Sequence, residues 1–219
     1  MRAILFGASG VLGRDSAELQ VHPRDFLVGI DGGVLLAQKA GFRVDFAVGD
    51  WDSLPKSQRS VLTRIPHVSL NRDKERSDLF YALAAAIQAG AREIVCLGVT
   101  GGRPDHHLAS LYDLSIFSSG RYGRLRKIQA MGEEGDYHFL SEVIPLWTGQ
   151  LKRKTLVSVF ALDGPVEGLN LSGFKFTLKN AVLTSSSQGL SNWVCGRRCQ
   201  VQLKKGKAVV ILPRSFQNV

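Results

Sequence analysis

The sequence predicts an α/β unit built on a parallel, doubly wound sheet, followed by a smaller all-β unit. Three observations carry this reading. Over the first 120 residues, short unbroken apolar runs alternate with segments of helical period. From about residue 121 the runs become short, alternating and β-rich, with turn residues between them. The charge divides at the same place: residues 1–120 hold 13 basic and 13 acidic side chains, whereas residues 121–219 hold 15 and 6, which supplies the whole net charge of +9.

Taken in order, "AILF", "DFLVGI", "FAV" and "EIVCLGV" are continuous apolar runs, the pattern of strands covered on both faces. Between them, "GGVLLAQKAG" and "SDLFYALAAAIQAG" are helical. In the second, Leu79, Leu83, Ala86 and Ile87 recur at helical spacing, Ser77 can cap the start and Gly90 can end it. Strand, helix, strand in series gives parallel pairing of the Rossmann-like kind. The polar, glycine-bearing "SSGRYGRLRK" is a junction, so the domains are drawn at 1–130 and 131–219. After it come "LVSVFAL", "GFKFTL", "NAVLTS", "CQVQL" and "KAVVIL", read as strands of a β-sandwich, with "KKGK" as a hairpin turn between the last two.

Composition narrows the class. A hydrophobic share of 44% with 21% charged residues is that of a soluble globular chain. No apolar run approaches the roughly 20 residues that span a bilayer, so no membrane partner is expected. The N-terminus lacks the apolar length of a secretory signal. Cys195 and Cys199 form CxxxC with neither a second pair nor a His pair to complete a zinc site. Reduced thiols and a cytoplasmic location follow. The basic second half invites nucleic acid, yet its lysines and arginines are scattered among strand-like apolar positions, as on solvated strand faces.

The chemistry concentrates in the first unit. "VGDWDS" puts Asp50 and Asp52 two residues apart after a strand, on one side of an extended backbone. Like charges so placed need a cation. Asp31 stands before a Gly-Gly pair at the previous strand end, where it either caps the next helix or binds a ligand. Asp73 and Asp78 bracket "DKERSD" ahead of a helix; Asp78 is a helix-start acid or a ligand. Asp105 lies in "TGGRPDHH". In a parallel sheet these positions all fall at the carboxyl ends of strands, the edge where ligands bind. Oxygen-only clusters suit Mg²⁺ completed by substrate phosphates. Beside them, Gly101 and Gly102 permit close backbone approach, and Arg103 offers a fork for phosphate oxygens or a pair to Asp105. His106 and His107 are caps or phosphate contacts. A rival lies in "GASGVLG" at residues 7–13, which fits a dinucleotide-binding turn. No tyrosine has a lysine four residues on, as a short-chain reductase requires, and no Walker-type phosphate loop is present.

In order, these motifs resemble the thiamine pyrophosphokinase family. "DGGVLLA" is similar to its Asp-Gly-Gly segment, and "VDFAVGDWDS" to its Gly-Asp-Phe-Asp-Ser signature with Trp51 as the aromatic. "RDKERSD" resembles its Lys-Asp-x-x-Thr-Asp element with Ser77 for threonine. "GVTGGRPDHHLAS" is similar to its Gly-Gly-Arg-x-Asp-His block, and "GFKFTLKNAVL" and "GLSNW" to elements of its β domain. The resemblance implies MgATP as donor, thiamine as acceptor, and a homodimer with sites at the subunit interface. It implies Asp50, Asp52 and Asp78 as metal and catalytic residues with Asp73 close by. Asp31, Gly32, Gly101, Gly102, Arg103 and His106 are implied on the nucleotide, and Asp105, Ser191 and Asn192 on the acceptor. The alternatives are another hydroxymethyl acceptor such as a pterin, an NAD(P)-dependent reductase, and a nucleic-acid-binding module.

Overall fold

The computed structural model describes residues 1–9 and 19–214; residues 10–13 of the glycine loop lie outside them. The chain divides into two compact units, Met1–Asp113 with Ala130–Glu133, and Leu114–Gln129 with Glu134–Val219. Parallel strands make the first and antiparallel strands the second, a mixed α/β fold. No helix among the described residues is long and apolar enough to cross a membrane.

In the first unit, β1 (Arg2–Phe6), β2 (Phe26–Ile30), β3 (Phe46–Gly49), β4 (His67–Ser69) and β5 (Glu93–Leu97) pair in parallel in the order β4-β3-β2-β1-β5. Their continuous apolar sequences are explained by burial: Ala3 to Phe6 are fully covered, as are Ile94, Cys96 and Leu97. Helices α1 (Gly33–Lys39) and α2 (Asp78–Gln88) pack on these strands, and α3 (Pro104–Ser118) follows β5. The Ser77 hydroxyl accepts from the Phe80 amide at 3.1 Å and so caps α2, and Gly90 takes φ 94 beyond its end. Leu79, Ala82, Leu83 and Ala86 form its buried face. Each fully buried leucine contributes about 1.5–3 kcal/mol. The strand β4 is exposed at all three residues, so it carries no burial pattern to read in advance.

Strand order reverses at β1, and there the backbones come unusually close. A Cβ on Gly7 would lie 2.3 Å from the Gly98 carbonyl oxygen, so glycine is required where β1 and β5 end. This is the crevice in which open α/β sheets bind ligands.

In the second unit, β13 (Lys205–Pro213) runs antiparallel between β7 (Gly135–Ser141) and β9 (Leu156–Ser172). The end of β9 continues to β12 (Cys199–Gln202), which pairs with β8 (Leu146–Gly149). Two further strands, β10 (Leu178–Leu183) and β11 (Asn192–Trp193), also pair with β9. The remaining strand, β6 (Lys127–Gly132), crosses the division between the units.

Two expectations are corrected here. "KKGK" is not a hairpin, because β12 and β13 do not pair with each other: Gln202 lies opposite Asn170, and Lys205 opposite Glu167. The cause is the 17-residue β9, which changes direction through left-handed residues at Asp163 (φ 57), Gly164 (φ 112) and Gly168 (φ 66), and so serves both neighbours. "GFKFTL" is not a strand before Leu178; Phe174 makes only an isolated bridge to Val194.

Candidate active site

The turn after β3 is where the acids gather. The extended backbone expected through Asp50 and Asp52 is replaced by a tight turn, with Trp51 at φ 62. A left-handed tryptophan is costly and needs support from its surroundings. Its indole is buried in the core with Leu54, and its Nε1–H donates to the Ser69 hydroxyl at 2.8 Å. Arg59 closes the turn by donating to the Trp51 carbonyl at 2.5 Å and the Leu54 carbonyl at 3.3 Å. Held this way, the turn presents both acids, and the Asp52 amide donates to Asp50 Oδ1 at 3.1 Å.

Asp31, at the end of β2, completes the cluster. It too is left-handed, at φ 48, and only 8% exposed. A Cβ on Gly49 would meet its Cα at 2.9 Å, which explains the glycine before Asp50. Oδ2 of Asp31 accepts from both the amide and the hydroxyl of Ser53, and that hydroxyl accepts from the Gly32 amide at 3.0 Å. Oδ1 is buried without a partner. Asp31 therefore does not cap α1; the cap position is Gly32, which offers no side chain. One carboxylate oxygen from each of Asp31, Asp50 and Asp52 lies within 4.8 Å of the others, close enough to share one ion.

Asp78 reaches the cluster differently. Lys74 lies between two acids, 2.6 Å from Asp50 Oδ2 and 3.2 Å from Asp78 Oδ1. Sequence reasoning passed over this lysine. Lys74 lies in the loop before α2, where helical spacing does not apply, so no sequence period pointed to it. Charge state follows from these contacts. Burial acts to raise Asp50, but the hydrogen bonds from Lys74 and the Asp52 amide outweigh it and hold the acid below its ordinary value. Asp52 is raised, by burial and then by the charges of Asp50 and Asp31. Asp78 is raised chiefly by burial, despite Lys74. Burial acts to lower Lys74, and its bonds to Asp50 and Asp78 raise it instead.

A cavity of about 600 Å³ opens over this cluster, lined by Asp31, Asp50, Asp52, Lys74, Asp78, Arg103 and His106 among others. Gly7, Ala8 and Ser9 line it as well, so the first glycine of the proposed dinucleotide turn borders the same space. Asp73 does not line it: its side chain is exposed, and its amide is bonded to Asn71. Gly101 and Gly102, at φ 77 and 64, form the turn before α3, where the Gly101 amide donates to His107 Nδ1 at 2.9 Å. Arg103 pairs with Asp105 at 2.6 Å, both largely in solvent. That contact draws Asp105 down to about 2.

Behind the cluster, the Ser77 hydroxyl donates to the buried Asp113 at 2.5 Å, tying the start of α2 to α3. In the second unit, a cavity of about 470 Å³ is lined by Val159, Leu169, Phe176, Leu190 and Asn192. Asn192 is fully engaged: its Oδ1 accepts from the Phe176 and Trp193 amides, and its Nδ2 donates to the Phe176 carbonyl. Ser191, at φ 60, donates its amide to the Ser158 hydroxyl at 3.0 Å and does not line that cavity.

Carboxylates and cations meeting over the carboxyl edge of a parallel sheet, at the point where strand order reverses, define a nucleotide-using transferase of the α/β class. Two family models fit the chain: the thiamin pyrophosphokinase catalytic domain at residues 18–122 and the thiamin pyrophosphokinase vitamin B1 binding domain at 148–208. Together they span well over half of it, and the chain belongs to the thiamin pyrophosphokinase family. A thiamine pyrophosphokinase of Bacillus subtilis is 27% identical over 193 residues, 84% of this chain and 85% of that protein. The crystal structure of a Geobacillus thermodenitrificans thiamin pyrophosphokinase is 23% identical with a TM-score of 0.81, covering 100% of both chains. An Enterococcus faecalis family member is 25% identical with a TM-score of 0.78, covering 98% of this chain and 99% of that one.

Proposed function

We propose that the protein transfers the pyrophosphoryl group of ATP to the hydroxyl of thiamine, giving thiamine diphosphate and AMP. The observation that carries this is the convergence of Asp31, Asp50 and Asp52 within 4.8 Å, beside Lys74 and Arg103, in a chain of this family. The acceptor hydroxyl attacks the β-phosphorus, the bond from that phosphorus to the oxygen it shares with the α-phosphate breaks, and the hydroxyl proton is lost.

A divalent metal fits the donor set. All three acids offer oxygen only, and the buried, unpartnered Oδ1 of Asp31 is an acceptor that the protein itself leaves open. Asp31, Asp50 and Asp52 would hold Mg²⁺, and Asp78 is assigned to the site through Lys74. When bound, the ion supplies charge neutralisation for the polyphosphate. The chain's own contribution is positional: the Trp51 turn fixes the acids, Lys74 holds Asp50 ionised and lies between it and Asp78, and Arg103 is free to exchange its exposed pairing with Asp105 for phosphate. Gly32, Gly101, Gly102 and His106 are assigned to the nucleotide, Asp105 and Ser191 to the acceptor. Asp73 is assigned no direct contact. Asn192 shapes the acceptor side by pinning the backbone of Phe176.

We further read the first unit as doubly wound and the second as a β-sandwich, divided near residue 130. The reversal at β1 and the two-way pairing of β9 support this. Cytoplasmic residence accords with three free thiols, Cys96, Cys195 and Cys199. Homodimerisation is supported by the apolar rim of the smaller cavity, where Phe176 and Val182 are each 60% exposed and Leu190 56%. Val182→Glu is expected to shift the chain from dimer to monomer in sedimentation equilibrium, and a wild type that sediments as a monomer would remove the proposal. The acceptor is tested by AMP release with thiamine, a hydroxymethyl-pterin, or water alone. Release is expected with thiamine only; a faster rate with the pterin would favour a sister pyrophosphokinase.

A further inference from the structure

A third cavity lies in the second unit, and the reaction makes no use of it. It measures about 490 Å³ and is walled by residues of β6, β7 and β8, with Leu212 of β13. One wall is aromatic: the rings of His138 and Trp147 lie 5.6 Å apart, centre to centre, tilted by 42°. Gly149, two residues on, leaves room for Trp147 there, since a Cβ on it would sit 2.7 Å from the indole Cη2. The indole thus folds back over bare backbone, a placement that other residues at position 149 would block. Ile128, Leu140 and Ile144 add buried aliphatic surface.

One feature sets this cavity apart from an ordinary packing defect. At the rim stand Arg126 and Lys127, both exposed, and neither side chain makes an ion pair among the described residues. The acid on this side, Asp136, is already engaged with Arg214 at 2.9 Å. The rim is therefore net positive, and the wall behind it is aromatic. Burial, and then the Lys127 charge, holds His138 down to about 4, so the ring is neutral at physiological pH.

We propose that this cavity is a second small-molecule site, which takes a planar aromatic ring bearing an anionic group. The ring lies against the wall of Trp147 and His138, while the anionic group meets Arg126 and Lys127. The site is separate from the carboxylate cluster, all of whose residues belong to the first unit.

The probe is indole-3-acetate, with indole as the uncharged comparison, titrated calorimetrically into the full chain. Thiamine and α,β-methylene-ATP are held saturating, so that the carboxylate site and the acceptor site are occupied. Indole-3-acetate is expected to bind at one equivalent per chain in the millimolar range or tighter. The double variant Arg126→Gln, Lys127→Gln, at two exposed positions, is expected to weaken it about tenfold and leave indole unchanged, as loss of a charge-assisted contact predicts. Gly149→Ala, which displaces the indole of Trp147, is expected to weaken both probes. The proposal is overturned if indole-3-acetate fails to bind at millimolar concentration, or if the double variant binds both probes as the wild type does. Because both substrate sites are blocked and AMP release is not the readout, failure here leaves the transferase assignment untouched.

Discussion

Asp50→Asn and Asp52→Asn are each expected to lower pyrophosphoryl transfer by about a thousandfold or more, with the fold intact by circular dichroism. The two changes remove charge without altering volume. Neither residue supports the core: the turn that presents them is anchored by Trp51, Leu54 and Arg59, none of which bonds to an acid side chain. The variants should differ in one respect. Asp52 carries the repulsion of Asp50 and Asp31, so Asp52→Asn relieves strain in the free protein and should leave its thermal midpoint equal to or above that of the wild type. Asp50→Asn leaves Lys74 with one acid fewer and should lower it. Steady-state AMP release with thermal denaturation of each variant checks both halves.

Lys74→Met should be damaging in a manner that depends on pH. The lysine separates Asp50 and Asp78, and its removal leaves adjacent carboxylates with only their mutual repulsion. At neutral pH the cost is about 2 kcal/mol, below that of a fully buried pair because water still reaches the site. The sign follows from the shifts. Asp50 is held down in the folded protein, so the stability it contributes is present above its unfolded value and is lost as pH falls through the folded one. Lys74 is raised, so its contribution persists until the pH climbs past the ordinary lysine range. Between those limits the wild type gains a constant amount that the variant lacks. Below the ordinary carboxylate range the acids protonate, and the difference between the two proteins should vanish. Urea denaturation at neutral and acid pH measures it; a deficit that stays the same at acid pH would contradict the assigned role.

The catalytic unit was legible in the sequence because its strands are buried on both faces and therefore spell themselves as unbroken apolar runs. Ser77 and Gly90 marked the ends of α2 by their chemistry, and both act as read. The exposed strand β4 had no such spelling. In the second unit the local patterns gave strands but not partners. β12 and β13 look like a hairpin along the chain, yet both lie against β9, whose bend is set by left-handed residues that no period reveals. At the site, the aspartates were read as strand-end acids that converge on one ion, while which of them stand closest together was not legible. Asp31 joins Asp50 and Asp52 because Gly49 lets two backbones touch, and Asp78 stands off behind Lys74. Such contacts depend on tertiary approach, which spacing along a chain does not encode.

The central claim is that Asp31, Asp50 and Asp52 hold one divalent ion that carries the triphosphate of ATP. A crystal structure with Mg²⁺, thiamine and α,β-methylene-ATP, whose carbon bridge replaces the oxygen that transfer would release, tests it directly. The account predicts oxygens of those three side chains at about 2.1 Å from the ion, with the polyphosphate bound to the same ion and reaching toward Arg103. An ion held elsewhere, or a triphosphate seated away from these acids, would contradict it.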